Sequence, residues 1–188
     1  MIHPKKLRMI EEMAKSKSTP LSLFHPLVAR WFRESVGEPT AVQEQAWPRI
    51  AAGEHLLITA PTGSGKTLAA FLWALNQFVT ERWPSGLCRV LYISPLRALN
   101  TDIQRNLLGP LDEIQSIFGR EGKPFPAIRV LTRSGDTPAA DRRQMLRHPP
   151  EILISTPESL NLLLKLIVHF FRAIAFHVKT AAFERTIN

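Results

Sequence analysis

Cysteine is nearly absent from this sequence, which has Cys88 alone among its 188 residues. A single thiol cannot form an internal disulfide, and it cannot build a cysteine-rich metal site. The composition also lacks the biases of collagen, coiled coils and low-complexity chains, and no internal repeat is found. These absences favour one ordinary globular core in a reducing compartment, and we expect the cytoplasm.

Long hydrophobic runs are missing as well. The first twenty residues, MIHPKKLRMIEEMAKSKSTP, contain no apolar core of the kind that a signal peptide requires. The longest apolar stretch, residues 162 to 178, is shorter than a bilayer span and carries Lys165, His169 and Arg172. We therefore expect no stable membrane insertion.

Acidic residues are outnumbered by basic ones. The sequence has 24 Lys and Arg against 16 Asp and Glu, which gives a formal net charge of +8. A basic surface raises the local concentration of nucleic acid or acidic lipid. An anionic partner is one explanation for the excess, and a merely soluble basic protein is the other.

Four short β-rich runs alternate with helix-like segments along the chain. The runs lie at 55–60, 89–94, 128–132 and 151–156, and helices are predicted over 24–32, 38–53, 66–82, 96–118, 138–147 and from 157 onward. This alternation is typical of an α/β fold with a parallel sheet. Ligands of such folds gather at the carboxyl ends of the strands, where every motif described below lies.

The segment APTGSGKT, residues 60 to 67, matches the phosphate-loop pattern between a strand and a helix, except that Ala60 replaces the first glycine. Gly63 and Gly65 permit positive φ, so that successive N–H groups can face a phosphate. Lys66 is predicted to stabilise phosphate and transition-state charge, and Thr67 to ligate Mg²⁺. We expect ATP and Mg²⁺ as cofactors. The residues of the loop that are expected to bind ATP are Pro61, Thr62, Gly63, Ser64, Gly65, Lys66 and Thr67.

Gln43 follows Thr40 by three residues, and this spacing has two interpretations. One is a capping box, in which the Gln side chain bonds back to the helix start. The other is an ATP-binding role, in which the Gln amide pairs with an adenine edge while Phe24 stacks on the ring. The spacing alone leaves both open.

Five blocks occur in the order found in superfamily 2 helicases: FHPLVARWF, GEPTAVQEQAWPRIAAGEHLLITAPTGSGKTLAAFL, YISPLRALNTDIQRNL, GDTPAADRR and PPEILISTPESL. Over residues 20 to 164 the chain resembles the large helicase-related (Lhr-like) group of DEAD/DEAH-type helicases. The resemblance implies a P-loop NTPase domain of the RecA-like kind and an ATP-dependent DNA helicase or translocase. It also favours the adenine role for Gln43.

The resemblance further implies nucleic-acid contacts at the ends of three strands. SPLRALN at 94–100, SGDTP at 134–138 and TPESL at 156–160 are similar to family segments that touch the nucleic-acid backbone. A solvated arginine, an ordinary turn and a capped helix explain the same letters. The residues expected to bind a single strand, most favourably of DNA, are Ser94, Pro95, Leu96, Arg97, Gly135, Asp136, Thr156, Pro157 and Glu158.

The Asp–Glu pair that the family uses for hydrolysis is not found. Relatives carry it in a DExH motif beyond the TPESL segment, where the Asp holds Mg²⁺ through water and the Glu orients the attacking water. After Leu164 the sequence contains no Asp, and Glu184 is the one acid there. The four aspartates of the chain are predicted in helices or loops: Asp102, Asp112, Asp136 and Asp141.

The resemblance implies three segments: a polar segment at 1–22, a partial helicase ATP-binding domain at 23–164 that is incomplete at its C-terminus, and a divergent apolar tail at 165–188.

Two functions stay open. One is a truncated ATP- and nucleic-acid-binding helicase fragment that is inactive alone. The other is a free-standing, nucleotide-regulated binding module that complements a separately encoded remainder of the helicase. Loss of the reading frame near residue 165 and packing of the tail over the open sheet are the two explanations for the tail.

Overall fold

The computed structural model describes residues 20–95 and 102–167. Residues 1–19 of the predicted polar segment and 168–188 of the predicted tail lie outside these ranges. So do two predicted nucleic-acid residues, Leu96 and Arg97.

The described helices follow the predicted order, with ends that differ by a few residues. A 3₁₀ turn, Pro20–Leu23, precedes α1 (Pro26–Ser35) and α2 (Ala41–Ala51), and α3 is Lys66–Val79. A π-helical segment, Gln104–Leu108, leads into α4 (Gly109–Arg120), and α5 (Ala139–Arg147) and α6 (Pro157–Ile167) follow. None of these described helices is both long and apolar enough to cross a membrane.

Three strands form a parallel sheet in the described ranges: β1 (Val90–Ile93), β2 (Val130–Arg133) and β3 (Ile152–Ser155), in the order β1–β3–β2. The strands are aligned, because Ile93 and Arg133 both pair with Ser155. The loops that leave the three strands therefore meet at one edge of the sheet. The parallel α/β class is confirmed.

Residues 55–60, predicted as a fourth strand, form no ladder with the strands that the structure describes. The segment alternates between exposed and half-buried residues, and Leu57 is 80% exposed. A β-rich sequence becomes a strand only where a neighbour accepts its hydrogen bonds, and β1, β2 and β3 pair elsewhere. The prediction of a strand at 55–60 is wrong for this structure.

The core lies between the helices and one face of the sheet. Phe71, Leu72 and Phe78 of α3 are buried, as is Ile154 of β3. Trp47 of α2 is fully buried, and its Nε1 donates to Ala69 O at 3.0 Å. This bond ties α2 to α3, which is the helix that begins at the phosphate loop.

A buried carboxylate organises the start of the sheet. Glu151 is 1% exposed, and its side chain accepts hydrogen bonds from Gly86 N at 2.6 Å and from Arg129 N at 2.8 Å. Arg129 Nε lies 3.3 Å from the same carboxylate. Burial by itself raises the pKa of Glu151, but these hydrogen bonds outweigh it and hold the pKa below its ordinary value. The carboxylate thus joins the loop that leads into β1, at Gly86, to the residue just before β2, Arg129.

Candidate functional site

The phosphate loop turns sharply just before α3. Gly63 and Gly65 both have a φ of +83°, and Gly65 is the N-cap of the helix. Side chains other than glycine rarely adopt this left-handed conformation. Since no side chain caps α3, the first N–H groups of the helix are directed toward the space that a phosphate would occupy.

Two residues at the start of α2 hold this loop in place. Thr40 Oγ1 donates to Ser64 O at 2.8 Å, and Gln43 Nε2 donates to Gly65 O at 3.4 Å. The capping box is also complete, because Thr40 N donates to Gln43 Oε1 at 2.9 Å and Gln43 N donates to Thr40 Oγ1 at 3.3 Å. The capping interpretation of Gln43 is confirmed.

The adenine roles of Gln43 and Phe24 stay predictions. Gln43 is 1% exposed, and its amide is bonded within the protein. Phe24 is 6% exposed, and its ring meets Trp47 and Trp73 edge-on at centroid distances of 4.8 and 5.6 Å. Adenine binding would therefore require the Gln43 amide to exchange partners and the Phe24 ring to become more exposed.

Lys66 bends back over the loop that precedes it. Its Nζ donates to Ala60 O at 2.6 Å and to Pro61 O at 2.9 Å. Ser64 Oγ is buried and finds no hydrogen-bond partner among the residues that the structure describes. A phosphate would supply acceptors to both groups, so the residues present fit such a ligand. Thr67, the predicted Mg²⁺ ligand, is half-buried in the first turn of α3, and Thr62 is exposed.

Three of the aspartates lie where the sequence predicts them, in helices or a turn. Asp102 is bonded on both oxygens, by Asn106 Nδ2 at 2.7 Å and by Tyr92 Oη at 3.3 Å. Asp136 lies in the exposed turn after β2, and Asp141 lies in the first turn of α5. None of these three ends a strand, which is the position that the family's acidic pair requires.

An adjacent acidic pair does occur, at Asp112 and Glu113, but it lies near the start of α4 and does not follow a strand. Glu113 Oε2 accepts from Trp31 Nε1 at 2.6 Å, so this carboxylate joins α4 to α1.

No group of three His, Cys, Asp or Glu side chains within 20–95 and 102–167 is placed to hold a metal ion. Burial raises the pKa of the Cys88 thiol to about 11, which makes it a poor nucleophile near neutral pH.

The predicted contact segment after β1 lies beside the end of β3. Ser94 N donates to Ser155 O at 3.1 Å and extends the ladder by one residue, and Pro95 is exposed. Leu96 and Arg97 of the same segment lie outside the described ranges, so their contacts stay predictions.

The predicted contact segment after β3 forms a capped helix start. Thr156 Oγ1 accepts from Ser159 N at 3.3 Å, and Thr156 is 1% exposed. Pro157 and Glu158 form the first turn of α6 and are exposed. The arrangement leaves this end of α6 at the same edge of the sheet as Ser94.

Arg142 of α5 holds the turn that follows β2. Its Nε donates to Thr137 O at 2.7 Å and its Nη2 donates to Gly135 O, while Ser134 N donates to Thr137 Oγ1 at 2.9 Å. Gly135 and Asp136, the predicted contact residues, are exposed in this turn. The sequence prediction did not include Arg142, because its contacts depend on how the turn folds back against the first turn of α5.

The DEAD/DEAH box helicase family model matches residues 40–178. The chain belongs to the DEAD/DEAH box helicase family. The match includes the phosphate loop and the ends of β1, β2 and β3. It continues past Leu164, where the predicted ATP-binding domain ends, so the boundaries 1–22, 23–164 and 165–188 stay proposals.

Several relatives carry the Lhr name, and two of them are bacterial proteins. The Lhr helicase/probable uracil glycosylase of Mycolicibacterium smegmatis is 48% identical over 153 residues, which cover 81% of this chain and 10% of that protein. The Lhr helicase/uracil glycosylase of Escherichia coli is 48% identical over 149 residues, which cover 76% of this chain and 10% of that protein. The resemblance to Lhr helicases is confirmed, and the chain spans about a tenth of the length of these relatives.

A solved structure shares the fold of this helicase-family chain. It is the Mycobacterium smegmatis helicase Lhr bound to ssDNA and AMP-PNP, with a TM-score of 0.70 and 48% identity. The similarity covers 77% of this chain and 18% of that one. The predicted RecA-like class is thereby confirmed.

Proposed function

We propose that this chain binds ATP with Mg²⁺ at its phosphate loop and binds a single nucleic-acid strand, most favourably of DNA, at the carboxyl ends of β1, β2 and β3. Its role would be that of an ATP- and nucleic-acid-binding part of an ATP-dependent helicase or translocase of the Lhr type. The observation that carries the proposal is the pair of left-handed glycines, Gly63 and Gly65, at the uncapped start of α3. The similar Lhr structure, which is bound to ssDNA and AMP-PNP, supports both ligands.

Each residue of the loop has a distinct part in nucleotide binding. Lys66 would exchange the carbonyls of Ala60 and Pro61 for phosphate oxygens, and Ser64 Oγ would gain an acceptor. The Thr67 hydroxyl would be a ligand of Mg²⁺, which neutralises phosphate charge when it is bound. Gln43 would read the adenine edge.

We further propose that these 188 residues do not hydrolyse ATP by themselves. Hydrolysis in this superfamily needs a carboxylate that orients the attacking water. The adjacent pair Asp112–Glu113 is not available for this task, because it lies in α4 and Glu113 is bonded to Trp31. Binding without turnover is the result that supports this proposal.

Equilibrium titrations test the binding proposal. Fluorescent AMP-PNP with Mg²⁺ and a labelled oligo-dT strand are titrated into the wild type and into Lys66→Ala. We expect Lys66→Ala to weaken AMP-PNP binding by at least about tenfold, because a charge-assisted contact to phosphate is lost. Lys123→Ala removes the same charge from an exposed position and is the matched control. Equal AMP-PNP affinity in the wild type and Lys66→Ala would reject the phosphate-loop assignment.

A further inference from the structure

Arg133 is a buried residue whose guanidinium has no partner among the residues that the structure describes. It is the last residue of β2 and is 6% exposed, and its guanidinium forms no hydrogen bond or ion pair with any residue in the described part of the chain. Buried charges in proteins are normally paired, and arginine does not lose its proton to escape the cost of burial. The nitrogens of this guanidinium are not among the described side-chain atoms that are both buried and unbonded, so they reach solvent while the rest of the residue is packed. A guanidinium that is held in place at the strand end, reaches solvent and has no described carboxylate bonded to it favours an anionic ligand at this point.

The register of the sheet places Arg133 at the edge where the three contact segments meet. Arg133 pairs with Ser155, whose Oγ donates to Arg133 O at 2.9 Å. Paired residues of a parallel sheet lie on the same face, and successive residues alternate between faces. The Arg133 side chain therefore leaves the sheet on the face opposite Ile152 and Ile154, which point into the core.

The charge around Arg133 is positive rather than balanced. Burial, and after it the charge of Arg142, lowers the pKa of Arg133. Arg142 already donates to the carbonyls of Thr137 and Gly135. Asp136, in the turn between the two arginines, is exposed and forms no ion pair with the described residues. No carboxylate in the described ranges forms an ion pair with either arginine.

From this arrangement we infer that Arg133 binds one phosphate of a nucleic-acid strand that crosses the strand ends, and that Arg142 positions the adjacent turn. The inference rests on the proposed nucleic-acid binding and adds a residue that the sequence motifs did not assign. A guanidinium binds a phosphate through two parallel N–H···O bonds, and restricted access of water strengthens them. The contact carries no information about the bases, so it is independent of sequence.

A salt series tests the contact directly. The affinity of a labelled oligo-dT strand is measured over increasing KCl for the wild type, Arg133→Met and the control Arg143→Met, which removes an exposed positive charge from the same helix as Arg142. We expect Arg133→Met to lose about tenfold in affinity, and the slope of log K against log salt to fall by about 0.7. Arg143→Met should keep the slope of the wild type. All three proteins should bind AMP-PNP equally, which distinguishes a strand phosphate from a nucleotide phosphate.

Thermal melting separates a phosphate contact from a structural role. Met keeps the apolar stem of a packed side chain and removes a charge that no described residue pairs, so the Tm of Arg133→Met should equal or exceed that of the wild type. A lower Tm with unchanged affinity for oligo-dT would overturn the inference. If Arg133→Met does not fold, Arg133→Lys is measured instead; it keeps the charge and loses the planar fork, so affinity should fall while the salt slope stays.

The two proposals fail in different ways. A wild-type chain that does not bind oligo-dT at low salt contradicts the proposed nucleic-acid function and this inference together. A wild-type chain that binds oligo-dT, with Arg133→Met and Arg133→Lys binding as tightly, contradicts the inference alone.

Discussion

Gln43 and Gly65 constrain each other at the junction of α2 and the phosphate loop. Gln43 Nε2 donates to Gly65 O at 3.4 Å, and a Cβ added at Gly65 would lie 2.5 Å from that same nitrogen. A side chain at position 65 would therefore displace Gln43 and disturb the capping box that Gln43 completes with Thr40. The Gln43 amide thus couples the start of α2 to the phosphate loop, in addition to the hydrogen bond from Thr40 Oγ1 to Ser64 O.

Gly65→Ala should destabilise the fold and weaken AMP-PNP binding. The substitution combines a left-handed φ of +83° with a steric clash against Gln43, for which we expect a loss of about 1–3 kcal/mol in the free energy of unfolding. Gly119→Ala is the matched control, because Gly119 lies inside α4 with nothing within 4 Å of an added Cβ. Gly119→Ala should be neutral or stabilising. Urea unfolding checks both, and equal stability of the two variants would contradict the coupling.

Thr40→Ala should loosen the same junction from the other side. The hydroxyl of Thr40 caps α2 and also donates to Ser64 O, so its removal should cost about 1–2 kcal/mol of stability. Thr40→Ser keeps the hydroxyl and should stay within about 0.5 kcal/mol of the wild type. Urea unfolding and AMP-PNP titration measure the two effects. A Thr40→Ser variant as unstable as Thr40→Ala would show that the methyl group, and not the hydroxyl, matters.

Glu151→Gln should remove a pH-dependent part of the stability. The pKa of Glu151 is held below its ordinary value of 4.5 in the folded protein. The carboxylate therefore stabilises the fold fully at pH values above 4.5, and this contribution is lost as the pH falls through the lowered, folded pKa. Glu151→Gln turns one acceptor into a donor that faces other donors, so it should be less stable by about 1–3 kcal/mol near neutral pH.

The measurement for Glu151 is the difference in unfolding free energy between the wild type and Glu151→Gln, taken from neutral pH down to pH values below 4.5. The difference should shrink as the pH falls. Glu38→Gln, at an exposed position, is the control and should stay within about 0.5 kcal/mol of the wild type. A Glu151→Gln difference that stays constant would contradict the assignment of a buried, hydrogen-bonded carboxylate.

Local features of this protein could be predicted from the sequence. Thr40 caps α2 because its hydroxyl needs only the backbone three residues later, and the phosphate loop is defined by consecutive residues whose glycines adopt positive φ. The parallel sheet followed from the alternation of strands and helices. These properties depend on residues that are close together in the chain.

Features that depend on distant partners were missed. Residues 55–60 have the alternation of a strand, but a ladder needs a neighbour that this pattern cannot supply. The contact of Gln43 with Gly65 joins residues 22 apart in sequence. The burial of Arg133 depends on the pairing of β2 with β3, and a lone arginine after a strand carries no local signal of it.

Phosphate release from ATP tests the central claim most directly. ATP, Mg²⁺ and oligo-dT are added to the purified chain at concentrations at which AMP-PNP binding is saturated, and inorganic phosphate is followed over time. The account predicts nucleotide binding with no release above the rate without protein, because no free Asp–Glu pair follows a strand in the described residues. Release that is stimulated by oligo-dT and lost in Lys66→Ala would contradict it.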